Sequence, residues 1–276
     1  MKTRITLMIV ASVISACGGK NDSNSTPAAV AVTEAVPASP DSQTTTLVDP
    51  LAKSPSTLAS TYANWPTFFL RASDMTGRNV TTFTVGGVSY NSVFNATAVA
   101  TDSAGSHFDY SSQEIDATSQ LTVDEQKYFT FASVYNLASA LSPTFYRASV
   151  LGTTGGVDIH WEYVSASTVH LVVLNSNGDE WTYSTTAVPT GVTSLIVTIS
   201  SSGAVAYING ASVTFVHSTT SVTAGTSEGI QFGDGSFQGK LYESVMMPNI
   251  SNDDDLSLAC YHSLTYKITV PLDCHW

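Results

Sequence analysis

Charge is scarce in this chain, and basic charge scarcer still. Only 12% of its 276 residues are charged, with 10 Lys and Arg against 22 Asp and Glu, a formal net charge of −12. Nucleic-acid binding needs a basic surface to neutralise phosphates, so this balance excludes that class of partner. It equally disfavours direct contact with anionic lipid headgroups, and the scarcity of Lys and Arg counts against a lyase for acidic polysaccharide. Cysteine is nearly absent: Cys17, Cys260 and Cys274 are the three present. No Cys-x-x-Cys pair exists, and two C-terminal cysteines alone cannot build a tetrahedral zinc site. No apolar run approaches the ~20 residues that a membrane-spanning helix requires. Also missing are a Gly-x-Ser-x-Gly nucleophile elbow, a His-Glu-x-x-His zinc helix and any EF-hand spacing.

What is present begins with an address. Lys2 and Arg4 form a basic head, and Ile5 to Ile14 is almost wholly apolar. A charged head, a short apolar middle and small residues before a cut site describe an export signal over residues 1–16. The stretch Ile14-Ser15-Ala16-Cys17 resembles the lipobox of bacterial lipoproteins. That resemblance implies that Cys17 is lipidated and anchors the chain through several acyl chains. Gly18 follows the cysteine where an aspartate would favour the inner membrane, so the expected location is the cell envelope, at the outer membrane.

Residues 17–60 change composition to Ser, Thr, Ala and Pro. Pro27, Pro37, Pro40, Pro50 and Pro55 are half of the ten prolines. Such a stretch buries too little apolar surface to offset its ordering entropy and reads as a disordered tether. Its last part, after Leu47, already borders the domain.

Residues 61–276 fit one all-β domain. Period-two alternation recurs from Val80 onward. "VTTFTVGGVSY" reads as strand, Gly-Gly turn, strand. "KYFTFASVYNL" alternates Phe129, Phe131 and Tyr135, and "VDIHWEYVS" sets Ile159, Trp161 and Tyr163 against Asp158, His160 and Glu162. "TVHLVVLNSNGDEWTYSTT" reads as a hairpin with Asn177-Gly178 in a positive-φ turn. "SLIVTISSSGAVAYINGASVT" is a second hairpin turning at Gly203, and "GIQFGDGSFQGKLYESVMMP" holds two strands around Gly-Asp-Gly. One helix opens at "SNDDD", whose side chains suit an N-terminal cap, with Leu258, Tyr261 and Leu264 on one side. Many short strands and one short C-terminal helix predict an antiparallel jelly-roll β-sandwich. In an oxidising compartment Cys260 and Cys274 pair, stapling the tail to that helix.

Three stretches carry a further resemblance. They are "HFDYSSQEIDATSQLTVDEQKYFTFASVYNL", "LIVTISSSGAVAYINGASV" with Tyr207, Asn209 and Gly210, and "FQGKLYESVMMPNISNDDDLSLACYHSLTYKI" with Phe237, Gly239, Glu243, Tyr266 and Lys267. In their order and spacing the chain resembles the concanavalin A-like lectin/glucanase superfamily, in its laminin G-like branch. That resemblance implies a sandwich that carries either a lectin-like site or a glycosidase. Cys260 and the tail "LDCHW" depart from the pattern.

The catalytic option is tested first by "EIDAT". Glu114 and Asp116 match the first two positions of a Glu-x-Asp-x-x-Glu strand, but Ser119 stands at the third. The enzyme needs two carboxyl groups converging to about 5 Å for retention, and Glu114 has no partner in this motif. Asp158, His160 and Glu162 share one strand face and are the second candidate, as ligand contacts or as the wet face of an outer strand. On a straight strand the two acids stand ~13 Å apart, too far to share one metal ion. Trp181 and Tyr183 alternate onto one face, available for sugar stacking or for the core. Asp234, Asp253, Asp254 and Asp255 are oxygen-rich and near turns, so structural calcium is a possible cofactor, with helix capping the more economical role for the triplet.

The expected function is a surface-anchored, non-catalytic binding domain for a glycan or a partner protein. The alternatives are a glycosidase acting on neutral polysaccharide and a passive structural protein of the envelope.

Overall fold

The computed structural model describes residues 51–55, 57–58, 68–74, 80–85, 88–93, 100–101, 107–111, 115–121, 124, 126–138, 140–153, 156–219, 228–232 and 236–275. Cys17, the export signal and most of the tether lie outside these residues, as do Glu114 and Asp234. The chain divides into two units, residues 1–44 and Thr45–Trp276, and all that follows concerns the second.

Two antiparallel sheets make the domain. The first runs β14 (Ala211–Val213), β13 (Gly203–Ile208), β12 (Thr193–Ser200), β7 (Phe129–Leu137), β17 (Gln238–Met247), β5 (Phe108–Ser111) and β4 (Ala100–Thr101). The long β17 pairs with β5 through its first half and with β1 (Phe68–Arg71) through its second. The second sheet runs β15 (Val216–Thr219), β11 (Asp179–Thr185), β10 (Thr168–Leu174), β9 (Asp158–Ser165), β8 (Arg147–Thr153), β16 (Glu228–Phe232) and β6 (Ile115–Leu121). A separate hairpin joins β2 (Val80–Val85) to β3 (Val88–Val93), as the Gly-Gly pattern predicts.

The inward residues of both sheets form one core. Phe129, Phe131 and Tyr135 on β7 meet Ile159 and Trp161 on β9, with Leu171, Val173, Leu195 and Val197 around them. The alternation expected on β7 and β9 is therefore observed. The opposite face of β7 is buried as well, because the helix α1 (Asn252–Tyr266) lies on it. Ala132, Ile196, Val245 and Met247 of the first sheet pack there against Leu258, Ala259 and Tyr261 of the helix. This is an antiparallel β-sandwich with one C-terminal helix. No helix among the described residues is long and apolar enough to cross a membrane.

The helix begins as its acidic start predicts. Ser251 is the N-cap, its hydroxyl accepting from Asp254 N at 3.2 Å. It ends at Lys267, whose φ of 57° is left-handed. Cys260 is bonded to Cys274, and the tail folds back so that Val270 and Leu272 crowd Gly210 in the β13–β14 turn.

Residues 51–55 and 57–58, at the end of the tether, pack on the domain: Leu58 is wholly buried against the helix side of the first sheet and Lys53 pairs with Asp254 at 2.7 Å. Two expectations need correction. Asn177-Gly178 is not a two-residue positive-φ turn: only Gly178 has positive φ, at 80°. Gly178 N donates to Asn175 O across a longer loop, in the manner of a turn closed by a glycine bulge. The two-residue turn with both φ positive occurs at Asn209 (50°) and Gly210 (73°), where Ile208 pairs directly with Ala211. Finally, β16 and β17 are successive in the chain but belong to different sheets, so they do not form a hairpin.

Candidate functional site

Asp158, His160 and Glu162 do share the outer face of the second sheet. Arg147 Nη2 donates to Asp158 Oδ2, and His160 Nδ1 stands 3.0 Å from the same oxygen without hydrogen-bond geometry. On the other side of the ring, His160 Nε2 is 3.8 Å from Glu162 Oε2, and His170 Nδ1 from β10 is 3.4 Å from Glu162 Oε1. Cross-strand pairing explains the ladder: Arg147 and His170 both lie opposite Glu162 in the register. The histidine is wedged between the carboxylates and is itself 5% exposed. Asp158 and Glu162 thus flank one ring from one strand. Glycoside hydrolysis instead asks for a pair on opposite sides of a scissile bond. Asp116 sits on β6, paired with Gln231 of β16.

Trp181 and Tyr183 face the gap between the sheets, but they serve different hollows. Tyr183 packs on the core and lines a small pocket of about 210 Å³ with Trp161, Pro189 and Ile208. Trp181 is 6% exposed and forms the floor of a groove of about 310 Å³. His217, opposite it on β15, lies over the indole with centroids 5.3 Å apart and planes 31° apart. Tyr128, just ahead of β7 and 43% exposed, lines the groove from the first sheet. The β12–β13 turn, Ser200 to Gly203, supplies hydroxyls that already bond one another, Ser200 Oγ to Ser202 Oγ at 2.8 Å.

A carboxylate completes the groove, and its position is built rather than incidental. Asp179 opens β11. Asn175, wholly buried, accepts Asn177 N and Asp179 N on Oδ1, each at 3.0 Å. Its Nδ2 donates to Asp179 Oδ2 at 3.2 Å and to Lys127 O at 3.3 Å. One amide therefore uses its full hydrogen-bonding capacity to hold the hairpin, aim the carboxylate and lace the segment before β7 onto the other sheet. His217 Nε2 lies 3.1 Å from Asp179 Oδ1. An acceptor-only carboxylate, two serine hydroxyls and aromatic surface thus meet at one open end of the sandwich.

Of this constellation, the alternation of Trp181 was visible in the sequence. Tyr128, Asp179, Ser200, Ser202 and His217 were not singled out, because nothing local joins four separated segments. The cue that existed was Asn175-x-x-x-Asp179, an Asx residue closing a hairpin onto an acid.

Two of the acidic triplet are engaged within the domain. Asp254 pairs with Lys53 and takes the Ser251 hydroxyl, while Asp255 Oδ1 accepts from Thr198 Oγ1 at 2.8 Å. Burial raises Asp255 to about 7, against the pull of Thr198. Among the described residues no group of three His, Cys, Asp or Glu side chains converges to hold a metal ion.

Glu243, Tyr261 and Tyr266, named in the sequence only as pattern residues, meet in one buried network. Glu243, wholly buried under the helix, receives Arg71 Nε at 3.0 Å, Tyr261 Oη at 3.1 Å and Tyr266 Oη at 2.6 Å. Burial alone would raise its pKa, but the His262 ring, the Arg71 guanidinium and the Tyr266 hydroxyl together hold it near 2. His262 Nδ1 contacts Ser194 Oγ at 2.8 Å and its Nε2 stands 3.5 Å from Glu243 Oε1. The serine, histidine and carboxylate resemble a nucleophile relay in order alone. All three are completely buried, so no substrate reaches them and the network is a structural one.

No family model matches the chain, and no curated protein matches it in sequence. Solved structures similar to it include botulinum neurotoxin receptor-binding domains. One is botulinum neurotoxin type C, whose penetration of cells depends on interaction with two ganglioside molecules; it is 11% identical over 63% of this chain and 47% of that one, with a TM-score of 0.47. Another is the binding domain of botulinum neurotoxin DC in complex with SialylT, 12% identical over 68% and 52%, with a TM-score of 0.47. A third, the serotype D binding domain, is 11% identical over 62% and 47%, with a TM-score of 0.44. The chain spans about half the length of these structures.

Proposed function

We propose that the domain is a non-catalytic glycan-binding module of concanavalin A-like, laminin G-like type, carried on the cell envelope by a lipid anchor at Cys17. The observation that carries the binding role is the groove over Trp181. Sugars offer hydroxyl donors and C–H faces, and the groove offers an oriented carboxylate, serine hydroxyls and aromatic surface. That combination of a few placed polar groups with apolar walls is the usual make-up of a ligand site. The anchor rests on the lipobox resemblance, and a tether between anchor and domain suits a module that meets its ligand away from the lipid. A partner protein carrying the glycan is compatible with the same site.

The test is a glycan and polysaccharide binding screen on the purified full chain in detergent, with and without EDTA. Saturable binding to a defined glycan class, weakened at least about tenfold by Tyr128→Ala in a folded protein, supports the reading. Binding that is untouched by changes at Tyr128 and His217 places the site elsewhere. Absence of any binding from the folded chain sinks the reading and leaves a structural role on the envelope.

A further inference from the structure

We infer that the Trp181 groove prefers uncharged glycans to acidic ones, with Asp179 as the selecting group; this rests on the glycan-binding reading above. Among the described residues that line the groove, Asp179 is the one acid and none is Lys or Arg. An ionised carboxylate accepts hydrogen bonds and cannot donate them. Two of its roughly four acceptor positions are taken, by Asn175 Nδ2 at 3.2 Å and by the His217 ring at 3.1 Å. A ligand that bonds Asp179 in the groove must bring a donor, and a sugar hydroxyl is one. A uronate or sialate carboxylate at the same place brings a second negative charge and no donor.

The surroundings reinforce the sign. Glu180, the next residue, faces the outer side of the same strand, where Ser218 and Thr182 contact it at 3.4 Å each. The chain's net charge of −12 has the same sign. Asp179 itself is 29% exposed, which leaves its interactions screened by solvent in part. The discrimination is therefore moderate rather than absolute. Asp179 also cannot turn aside to avoid an acid, because Asn175 fixes both its backbone N–H and one carboxylate oxygen.

The experiment uses the full chain in detergent and pairs of neutral trisaccharides of glucose, galactose and mannose, each matched with its counterpart oxidised at C6 to the uronate. The expected result is that a neutral member binds at least about fivefold more tightly than its own uronate. Asp179→Asn removes the charge, and the ratio then moves toward one while neutral binding weakens. Ser201→Lys, on the exposed turn across the groove, adds a cation without touching the fold and should admit the uronate. A uronate that binds as well as its neutral partner overturns the inference. A ratio that survives in folded Asp179→Asn and in Ser201→Lys also overturns it, by placing the selector elsewhere, and leaves glycan binding intact. If neither member of any pair binds, the glycan reading fails and the inference with it.

Discussion

Trp161 Nε1 donates a 2.7 Å hydrogen bond to Tyr135 Oη in the centre of the core, and both side chains are completely buried. Trp161 belongs to β9 and Tyr135 to β7, so this bond is a polar stitch between the two sheets. Burial pushes the Tyr135 phenol far above its ordinary range, with Trp161 pulling modestly the other way, so it stays neutral. Phe237 presses edge-on against the tyrosine, ring centroids 6.1 Å apart. Tyr135→Phe keeps the packing and leaves the indole N–H without its acceptor. The expected loss is about 1–3 kcal/mol, read from chemical unfolding with an unchanged m-value.

The pH dependence of stability follows from two acids of opposite sense. Burial raises Asp255 from 3.8 to about 7 in the folded state. Its contribution is present below pH ~4 and is lost as pH rises through about 7. Asp255→Asn removes that loss and keeps an acceptor for Thr198. Relative to the parent it should gain on the order of 3 kcal/mol above pH ~8, and little at pH ~4. A variant whose advantage does not grow with pH contradicts this assignment.

Glu243 works the other way. It is held near 2 against an ordinary 4.5. Its stabilisation is therefore present above pH ~4.5 and disappears as pH falls toward 2. Glu243→Gln should flatten the acid limb of a melting-temperature profile and lower stability at neutral pH by a few kcal/mol, about what breaking a buried charge network costs.

Reduction of the bond between Cys260 and Cys274 releases the tail. The bridge closes a loop with a sequence separation of 14. The double replacement by alanine is expected to cost about 3 kcal/mol. Limited proteolysis should then cut among residues 268–275 before any strand is attacked.

Two glycines of positive φ should respond differently to alanine. At Gly239, φ 147°, a Cβ would stand 2.1 Å from Asn136 O on the neighbouring strand. Gly239→Ala forces β17 away from β7 and is expected to prevent stable folding. At Gly203, φ 127°, a Cβ meets nothing within 4 Å. Gly203→Ala then carries backbone strain alone, about 1–2 kcal/mol by thermal melting.

The lipid attachment proposed at Cys17 has a test independent of the domain. Cys17→Ser should abolish incorporation of labelled fatty acid and move the chain from the membrane to the soluble fraction. Incorporation that persists in the variant would place the anchor elsewhere.

Much of the domain was legible because alternation is a local property. The β9 residues Ile159, Trp161 and Tyr163 face inward as period two dictates, and the helix starts where Ser251 can cap it. Strand partnership was not legible, since β17 finds β7, β5 and β1 from distant parts of the chain. The two Asn-Gly pairs show the same limit: identical letters make a two-residue turn at 209–210 and part of a longer loop at 177–178. What differs is the length of loop between the last paired residues on either side. The groove stayed hidden for the same reason, since Tyr128, Asp179, Ser200 and His217 meet only once both sheets are stacked. Asp158, His160 and Glu162 were grouped correctly, but Arg147 and His170 join them through strand register alone.

Ala52 N approaches His275 O at 3.5 Å, and Lys53 N donates to Ser257 O at 3.2 Å. The incoming segment therefore lies between the helix and the returning tail. Tension applied at residue 51 meets the Lys53 contacts first and then the seated Leu58. The covalent link from Cys274 to Cys260 fixes the tail that abuts this segment. Where the sandwich is pulled from its N-terminal side, the segment behaves as a strain-relief clamp, and the sheets bear load only after that clamp has yielded.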